Sequence, residues 1–594
     1  MPLSRRLLVL LALSSCIAAP GKAWQGSQVL TLVSAPPGLA GPSDDSTAPT
    51  LNGDGRIVAF ESFSAVFVAN DTNSARDVFV LDRSTGVYER VSVGPAGQQS
   101  SSPSQSHPCS ISPDGRYVTF VTSSTNFWPL PSGAQKNVFL RDRVAGTTEL
   151  AALTSAGTPL NQGAEWGVTS GDGRFVAFGS MFSNLVVPGV PQSSTGHVYL
   201  RDRLLGATTV VDRPMVGAQW TGTSVVVAIT PDGRYVLVRT TSSTLVPGDT
   251  NGREDTYLYD RVLDQLELAS LTDAGGIGEY DQRAAGVSDD GRYVLFISGS
   301  PAFVPGGPNP VGGRFRVFVR DRVTQRTTCV SVNTAGDLAD NHSIDARISG
   351  DGRFVVFLSS ARNLARDTDP YSDVFVRDLW MSTTTRLSVG PNGEHPTVGY
   401  EAPSVSGDGR AFGFAGQAGF FNEMGKSVYV VARRNAVTPL CFADSEPDAV
   451  GLCPCSNPGG ARRGCANSST AGAVLGCFGS VAPDQLRLTV TGLPAGSVAL
   501  FVQGDAVEAS GVPFGVGLRC AGGILLRLAA RSIMGSGAMF PSPGEGTIHD
   551  TSSGLGVPLG AGTVSTYQVL YRDPGTTACG IQPWNASSAL LVTW

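Results

Sequence analysis

Three loops of the chain carry oxygen-bearing side chains at a spacing that suits a hard cation. Asp71-Thr72-Asn73 is followed by Asp77, Asp249-Thr250-Asn251 by Asp255, and Asp367-Thr368-Asp369 by Asp373. Positions 1, 3 and 7 of such a loop can turn alternate side chains toward one ion, as calcium loops do. Position 5 lacks a carboxylate and no bidentate Glu follows, so the expectation is weak calcium binding and no other cofactor. The competing reading is turn chemistry, in which Asp and Asn bond to nearby backbone and the last Asp opens a strand.

Covalent chemistry finds less support. No Gly-x-Ser-x-Gly elbow and no His-Glu-x-x-His occurs. Gly425-Lys426-Ser427 has the look of half a P-loop, but the upstream Gly419 is one residue too far away. Five histidines leave little for a multi-His metal site. The expectation is therefore a protein that is not an enzyme, with no catalytic residues.

The cysteines are unevenly placed. Seven of the ten lie after residue 440, at 441, 453, 455, 465, 477, 520 and 579. Clustering in an exported chain argues for disulfides there. Zinc would want Cys-x-x-Cys pairs, and only Cys453-Pro-Cys455 is present. Export is written at the start: a basic Ser4-Arg5-Arg6, an apolar Leu7–Leu13 run and small residues up to Ala23. That is a signal peptide over residues 1–23 rather than a membrane span. Leu13-Ser14-Ser15-Cys16 offers an alternative, a lipobox that would make Cys16 a lipid anchor. Either route places the protein in the periplasm, at the cell surface or outside the cell. No later segment is apolar enough to cross a bilayer. A net charge of −6 without a basic run argues against nucleic acid as a partner.

The elements that must position these residues form a repeat. Asp-Gly-Arg occurs seven times, starting at Asp54, Asp114, Asp172, Asp232, Asp290, Asp351 and Asp408, at spacings of 60, 58, 60, 58, 61 and 57. An apolar strand follows each copy, as in Tyr117-Val118-Thr119-Phe120. After a long polar loop comes a second strand ending in Asp-Arg, then a tight turn and another strand. Asp-Gly between alternating apolar residues is a strong hairpin signal. Four strands cannot bury both faces of a sheet alone, so stacking such sheets around an axis is the economical solution. The seventh unit lacks its last strand, and residues 29–35 match the missing piece. The expected fold is all-β: a seven-bladed β-propeller over residues 24–436, closed by its N-terminal strand, then a β-sandwich over 437–594.

The run Ser112 to Phe120 and the run Asp373 to Asp378 carry a resemblance. Their Ser-x-Asp-Gly-Arg-x-Val-x-Phe and Asp-Val-Phe-Val-x-Asp patterns resemble the TolB-like, WD-repeat-like propellers across about residues 29–434. The resemblance implies a rigid platform for partners and says little about activity. Unit seven departs from it, with Val431-Ala432-Arg433 in place of Arg-Asp-Arg. The C-terminal segment resembles an uncharacterised module of secreted bacterial proteins, through Cys-Pro-Cys-x-Asn-Pro-Gly, Gly-Leu-Arg-Cys and Tyr-Arg-Asp-Pro-Gly. That resemblance implies disulfides among Cys441, Cys453, Cys455, Cys465, Cys520 and Cys579, with connectivity open and Cys477 extra.

Strand direction alternates within a blade, so long loops collect on one face, where binding residues usually gather. Seven residues before each Asp of Asp-Gly-Arg stand Thr47, His107, Glu165, Val225, Arg283, Ile344 and Glu401. They should ring the channel mouth, with His107, Glu165, Arg283 and Glu401 as a candidate ligand site. The alternative is a solvated rim of no consequence. The expected function is non-catalytic binding of a protein partner in the envelope or outside the cell. The alternatives are polysaccharide binding by the C-terminal sandwich, or an unrecognised propeller lyase or hydrolase.

Overall fold

The computed structural model describes residues 28–35, 45–102, 104–128, 136–160, 163–181, 196–304, 313–365, 371–379, 382–390, 398–417, 420 and 425–433 of the repeat region. Beyond it, residues 437–440, 465, 467–468, 472–478, 486–496, 498–514, 517–533, 537–542, 545–559, 563–573 and 584–593 are described. Gln28–Arg433 forms one compact unit, and a second is drawn from the chain after it.

The first unit is seven four-stranded antiparallel sheets. In blade one they are β2 (Ser46–Leu51), β3 (Ile57–Ser62), β4 (Asp77–Asp82) and β5 (Val87–Arg90), following β1 (Gln28–Leu32). Six blades are continuous in sequence. The seventh takes Tyr400–Val405, Ala411–Gly416 and Ser427–Arg433 from the end of the repeat and β1 from its start. β1 pairs antiparallel with Ser427–Arg433, Leu30 opposite Val431. Val33 then donates its N–H to Val428 O, as Val91 does to Val78 O in blade one.

Each Asp-Gly-Arg turn explains its own letters. The Asp114 carboxylate accepts the Arg116 N–H at 2.9 Å and the Ser112 hydroxyl at 2.5 Å. The glycines have φ between 67° and 75°, which an L side chain rarely adopts. A Cβ on Gly233 would also sit 2.4 Å from the Phe175 ring, and one on Gly291 2.3 Å from Tyr235. Each glycine thus seats on the residue following the previous blade's turn. Gly55 seats on Ala411 of blade seven, which carries the ring around. The arginine forks onto the aspartate ending the third strand: Arg116 Nη2–Asp142 Oδ2 is 2.7 Å and Arg353 Nη2–Asp378 Oδ2 is 2.7 Å. Blade seven has Ala432 opposite Ala411, so Arg410 turns instead to Asp408 at 3.5 Å. A second arginine ties neighbouring blades, Arg143 reaching Glu89 at 2.8 Å.

The turns between third and fourth strands hold a left-handed residue. It is Gly86, Gly146 or Gly206 in blades one to three, but Asp264 (φ 53°), Gln325 (φ 55°) and Ser382 (φ 53°) in blades four to six. Asp264 uses its conformation to accept the Tyr259 hydroxyl at 2.7 Å. Gln325 is exposed, and its backbone oxygen accepts a hydrogen bond from the Arg320 guanidinium. Gln325→Gly is expected to raise stability by about 0.5–1 kcal/mol, because the left-handed penalty disappears. Asp264→Gly should bring no gain. Urea midpoints for the two variants check this, and equal shifts would contradict it.

The second unit holds a five-stranded sheet in the order Val437–Leu440, Trp584–Thr593, Val564–Arg572, Val498–Gly504, Leu526–Ser532. A three-stranded sheet contains Val474–Phe478, Arg487–Thr491 and Gly537–Phe540, and Ala506–Phe514 pairs with Gly517–Gly522. One apolar core takes Leu475, Leu488 and Phe540 from the smaller sheet and Phe501, Tyr567 and Val592 from the larger. The sequence reading assigned only strands here, yet Ile548–Gly554 is a short helix, started by a Thr547–Asp550 capping box. Cys465 and Cys520 are buried and disulfide-bonded. Cys441, Cys453, Cys455 and Cys579 lie outside the described residues, and Cys329 of blade five is a free thiol.

Candidate functional site

The innermost strands set the mouth of the long-loop face. Thr47, Glu165, Val225, Arg283, Ile344 and Glu401 all stand at or next to the start of these strands. Blade two differs. Its strand, Ser104–Ile111, is longer, and its register places Gln105 opposite Val121, where Thr47 stands opposite Glu61 in blade one. Counting back from Asp114 therefore lands on His107, two residues inside the irregular stretch between Gln105 and Ser110. The His107 side chain lies outside what the structure describes. The innermost strands also bulge one residue after the ring position, with Ala48, Trp166, Asp345 and Ala402 at φ of 42–54°.

The three of the four expected ligand groups whose side chains are described, Glu165, Arg283 and Glu401, do not converge as free charges. Glu401 accepts the Thr47 hydroxyl from blade one at 2.5 Å and pairs with Lys426 at 3.0 Å. Glu165 pairs with Lys136 of blade two at 3.5 Å. Arg283 lies between Glu254 of blade four, at 3.8 Å, and Asp281, at 3.6 Å. The rim is thus a set of paired charges stitching adjacent blades. At roughly half exposure, each pair contributes about 0–1 kcal/mol.

A more pointed feature lies on blades four to six. Arg283 stacks its guanidinium over Phe315 at 5.3 Å, and Phe315 packs on His342 with ring centroids 5.8 Å apart. Tyr280 beside them is 47 % exposed. Arg253, Tyr280, Asp281, Gly299, Gly313 and Phe315 line a small pocket. Aromatic rings with arginine at a pocket mouth are the composition of binding hot spots. Only Arg283 of this group was expected from the sequence; the others precede strands at offsets that no turn motif fixes.

The three loops with calcium-like spacing diverge. In blade one Arg90 takes the cation's place, 3.1 Å from Asp71 and 3.8 Å from Asp77. Asn73 donates to Asp77 at 3.0 Å and accepts the Ala75 N–H, the turn chemistry of the competing reading. Blade six repeats this with Arg386 on Asp373 at 2.6 Å, while Asp367 and Asp369 lie outside the described residues. Blade four has no such arginine. Asp249 accepts the Tyr257 hydroxyl at 2.5 Å, and Asp255 the Ser270 hydroxyl at 3.1 Å. Burial pushes the Asp255 carboxyl up to about 7; the Asn251 amide opposes the rise and the Asp249 charge adds to it. Among the described residues no three His, Cys, Asp or Glu side chains cluster to hold a metal.

The fold defines the class: a seven-bladed β-propeller whose N-terminal strand completes the last blade. No protein-family model matches the chain, and no curated protein matches it significantly. Solved propellers align at low identity. An oligogalacturonate lyase in complex with manganese is 14% identical, over 69% of this chain and 98% of that one, with a TM-score of 0.39. The propeller domain of the trilobed protease from Pyrococcus furiosus is 9% identical over 66% and 98%, with a TM-score of 0.41. A TolB from Agrobacterium tumefaciens is 14% identical over 58% and 89%, with a TM-score of 0.32. A lyase, the propeller domain of a protease and a TolB all appear in this group, so likeness at this level carries no argument about activity.

Proposed function

We propose that the protein is an exported, non-catalytic binding protein whose propeller receives a protein partner on its long-loop face, around blades four to six. The observation that carries this reading is the Tyr280–Arg283–Phe315–His342 patch, where exposed aromatic surface and a half-exposed, ion-paired arginine meet beside a pocket. Rings of this kind bring large contact area at low entropy cost, and arginine adds directional bonding. Export rests on the basic and apolar start of the chain.

The test uses the purified protein as bait in envelope extract. A variant carrying Tyr280→Ala, Arg283→Glu and His342→Ala should lose about 30-fold or more in capture of the partner, the scale of hot-spot loss. Glu401→Ala, elsewhere on the rim, should capture normally. An unchanged set of captured proteins in the triple variant would retire the site. Binding on a glycan array that survives the triple variant would move the function to polysaccharide and to the C-terminal unit.

A further inference from the structure

The position opening the third strand is Asp77 in blade one, Asp255 in blade four and Asp373 in blade six. The fourth strand of the same sheet faces each of them with a fixed register. Phe79 stands opposite Arg90, Phe375 opposite Arg386 and Tyr257 opposite Leu268. Two blades therefore supply a guanidinium to their buried carboxylates, and the third supplies an isobutyl group. Everything else is kept: a serine hydroxyl on the aspartate, from Ser92, Ser270 and Ser388, and an asparagine in the loop, Asn73 and Asn251, in the two loops described in full.

The result in blade four is an uncompensated pair. Asp249 is 6% exposed and Asp255 is fully buried. Oδ1 of Asp249 has no hydrogen-bond partner, and Oδ2 of Asp255 makes no hydrogen bond of ordinary geometry, with the Asn251 amide the neutral group nearest in effect. The charged groups that act on Asp255 are Asp249 and Asp281, both negative. A buried carboxylate without a counter-charge is costly, and blades one and six show how this chain meets that cost with arginine.

We infer that blade four binds one divalent cation of the calcium class between Asp249 and Asp255, in the place that Arg90 and Arg386 fill in their own blades. The donors are oxygens only, which favours a hard cation, and with two carboxylates as ligands water would complete the shell. With two carboxylates, affinity belongs at the weak end, a Kd on the order of 0.1–1 mM, which suits extracellular calcium. The site sits in the loop whose Asn251 amide donates to Gly278 O, two residues from Tyr280. It stands whether or not the docking patch is real, because its test involves no partner.

Calcium titration of the chelator-treated protein at pH 7.5, followed by calorimetry, is expected to give a stoichiometry of one. Melting temperature should rise by about 2–4 °C in 10 mM calcium. Asp255→Asn should weaken binding at least 10-fold. Leu268→Arg should abolish it while leaving a protein whose melting no longer responds to chelator, since the cation is then built in. Circular dichroism establishes that both variants fold, and Asp249→Asn replaces either one that does not. A stoichiometry of three, magnesium binding in preference to calcium, binding that survives both variants, or no heat at all would each overturn the assignment. In the last case a proton, rather than a metal, compensates the pair.

Discussion

Removal of residues 28–35 is expected to destabilise the whole propeller by about 5 kcal/mol, not merely to fray its start. The segment supplies a five-residue ladder to Ser427–Arg433, and each ladder bond contributes about 1 kcal/mol. Val33 is fully buried in the core shared by blades seven and one, which adds about 2 kcal/mol. Further contacts go with it: Tyr88 of blade one donates its hydroxyl to Val33 O at 2.6 Å, and Val428 donates its N–H to Ser34 Oγ at 2.9 Å. Loss of the strand also bares the edge of Tyr429 and Val431, an invitation to aggregate. Thermal and chemical melts of the truncated and full chains provide the comparison. Coincident curves would refute closure by this strand.

The second large effect belongs to blade six. Asp378→Ala should cost about 3–5 kcal/mol, because it strands the Arg353 guanidinium in a site where both partners are buried, at 10% and 1% side-chain exposure. The equivalent Asp82→Ala in blade one should cost far less, since Arg56 is 52% exposed there and water replaces the partner. Guanidinium denaturation of both variants decides the matter; equal losses would mean that the clamp acts through the turn rather than through burial. A pH dependence accompanies the clamps. Hydrogen bonds from Arg116 and Arg292 hold Asp142 and Asp321 down at about 2. A carboxylate depressed in the folded state adds stability above its unfolded value near 4 and loses it as pH falls toward 2. Acid unfolding is accordingly expected between about pH 4 and pH 2, and Asp142→Asn should flatten that slope.

The propeller was legible because its signals are local. Asp-Gly-Arg brings its turn, its left-handed glycine and its strand pair within a dozen residues, and the spacing repeats. The closing strand was legible as well, since Val33-Ser34 repeats the Val91-Ser92 pairing letter for letter. The site was legible only in part, because it depends on contacts between strands. Nothing near Asp71 announces Arg90, which reaches it from the fourth strand, and nothing near Asp249 announces that Leu268 stands where blades one and six have arginine. His107 was displaced by a longer first strand in blade two, an irregularity that counting from the turn could not reveal. Phe315 and His342 meet only because the links before two different strands run side by side.

The strand that closes the ring is also the first to be made. Ser34 and its partner Val428 are separated by 394 residues. At ribosomal speeds of about 5–20 residues per second, β1 waits roughly 20–80 seconds for its mate. Through that interval six blades can assemble in order, each sealing against the one before, while the leading strand and the trailing face of the array stay open. The final docking is a single long-range event, slow for its contact order and exposed to misassociation while it is pending. The cell's timing problem is thus to keep a short apolar strand unengaged while the six blades between it and its partner are made, and a repeat region cut short of Ser427–Arg433 is an open spiral rather than a smaller ring.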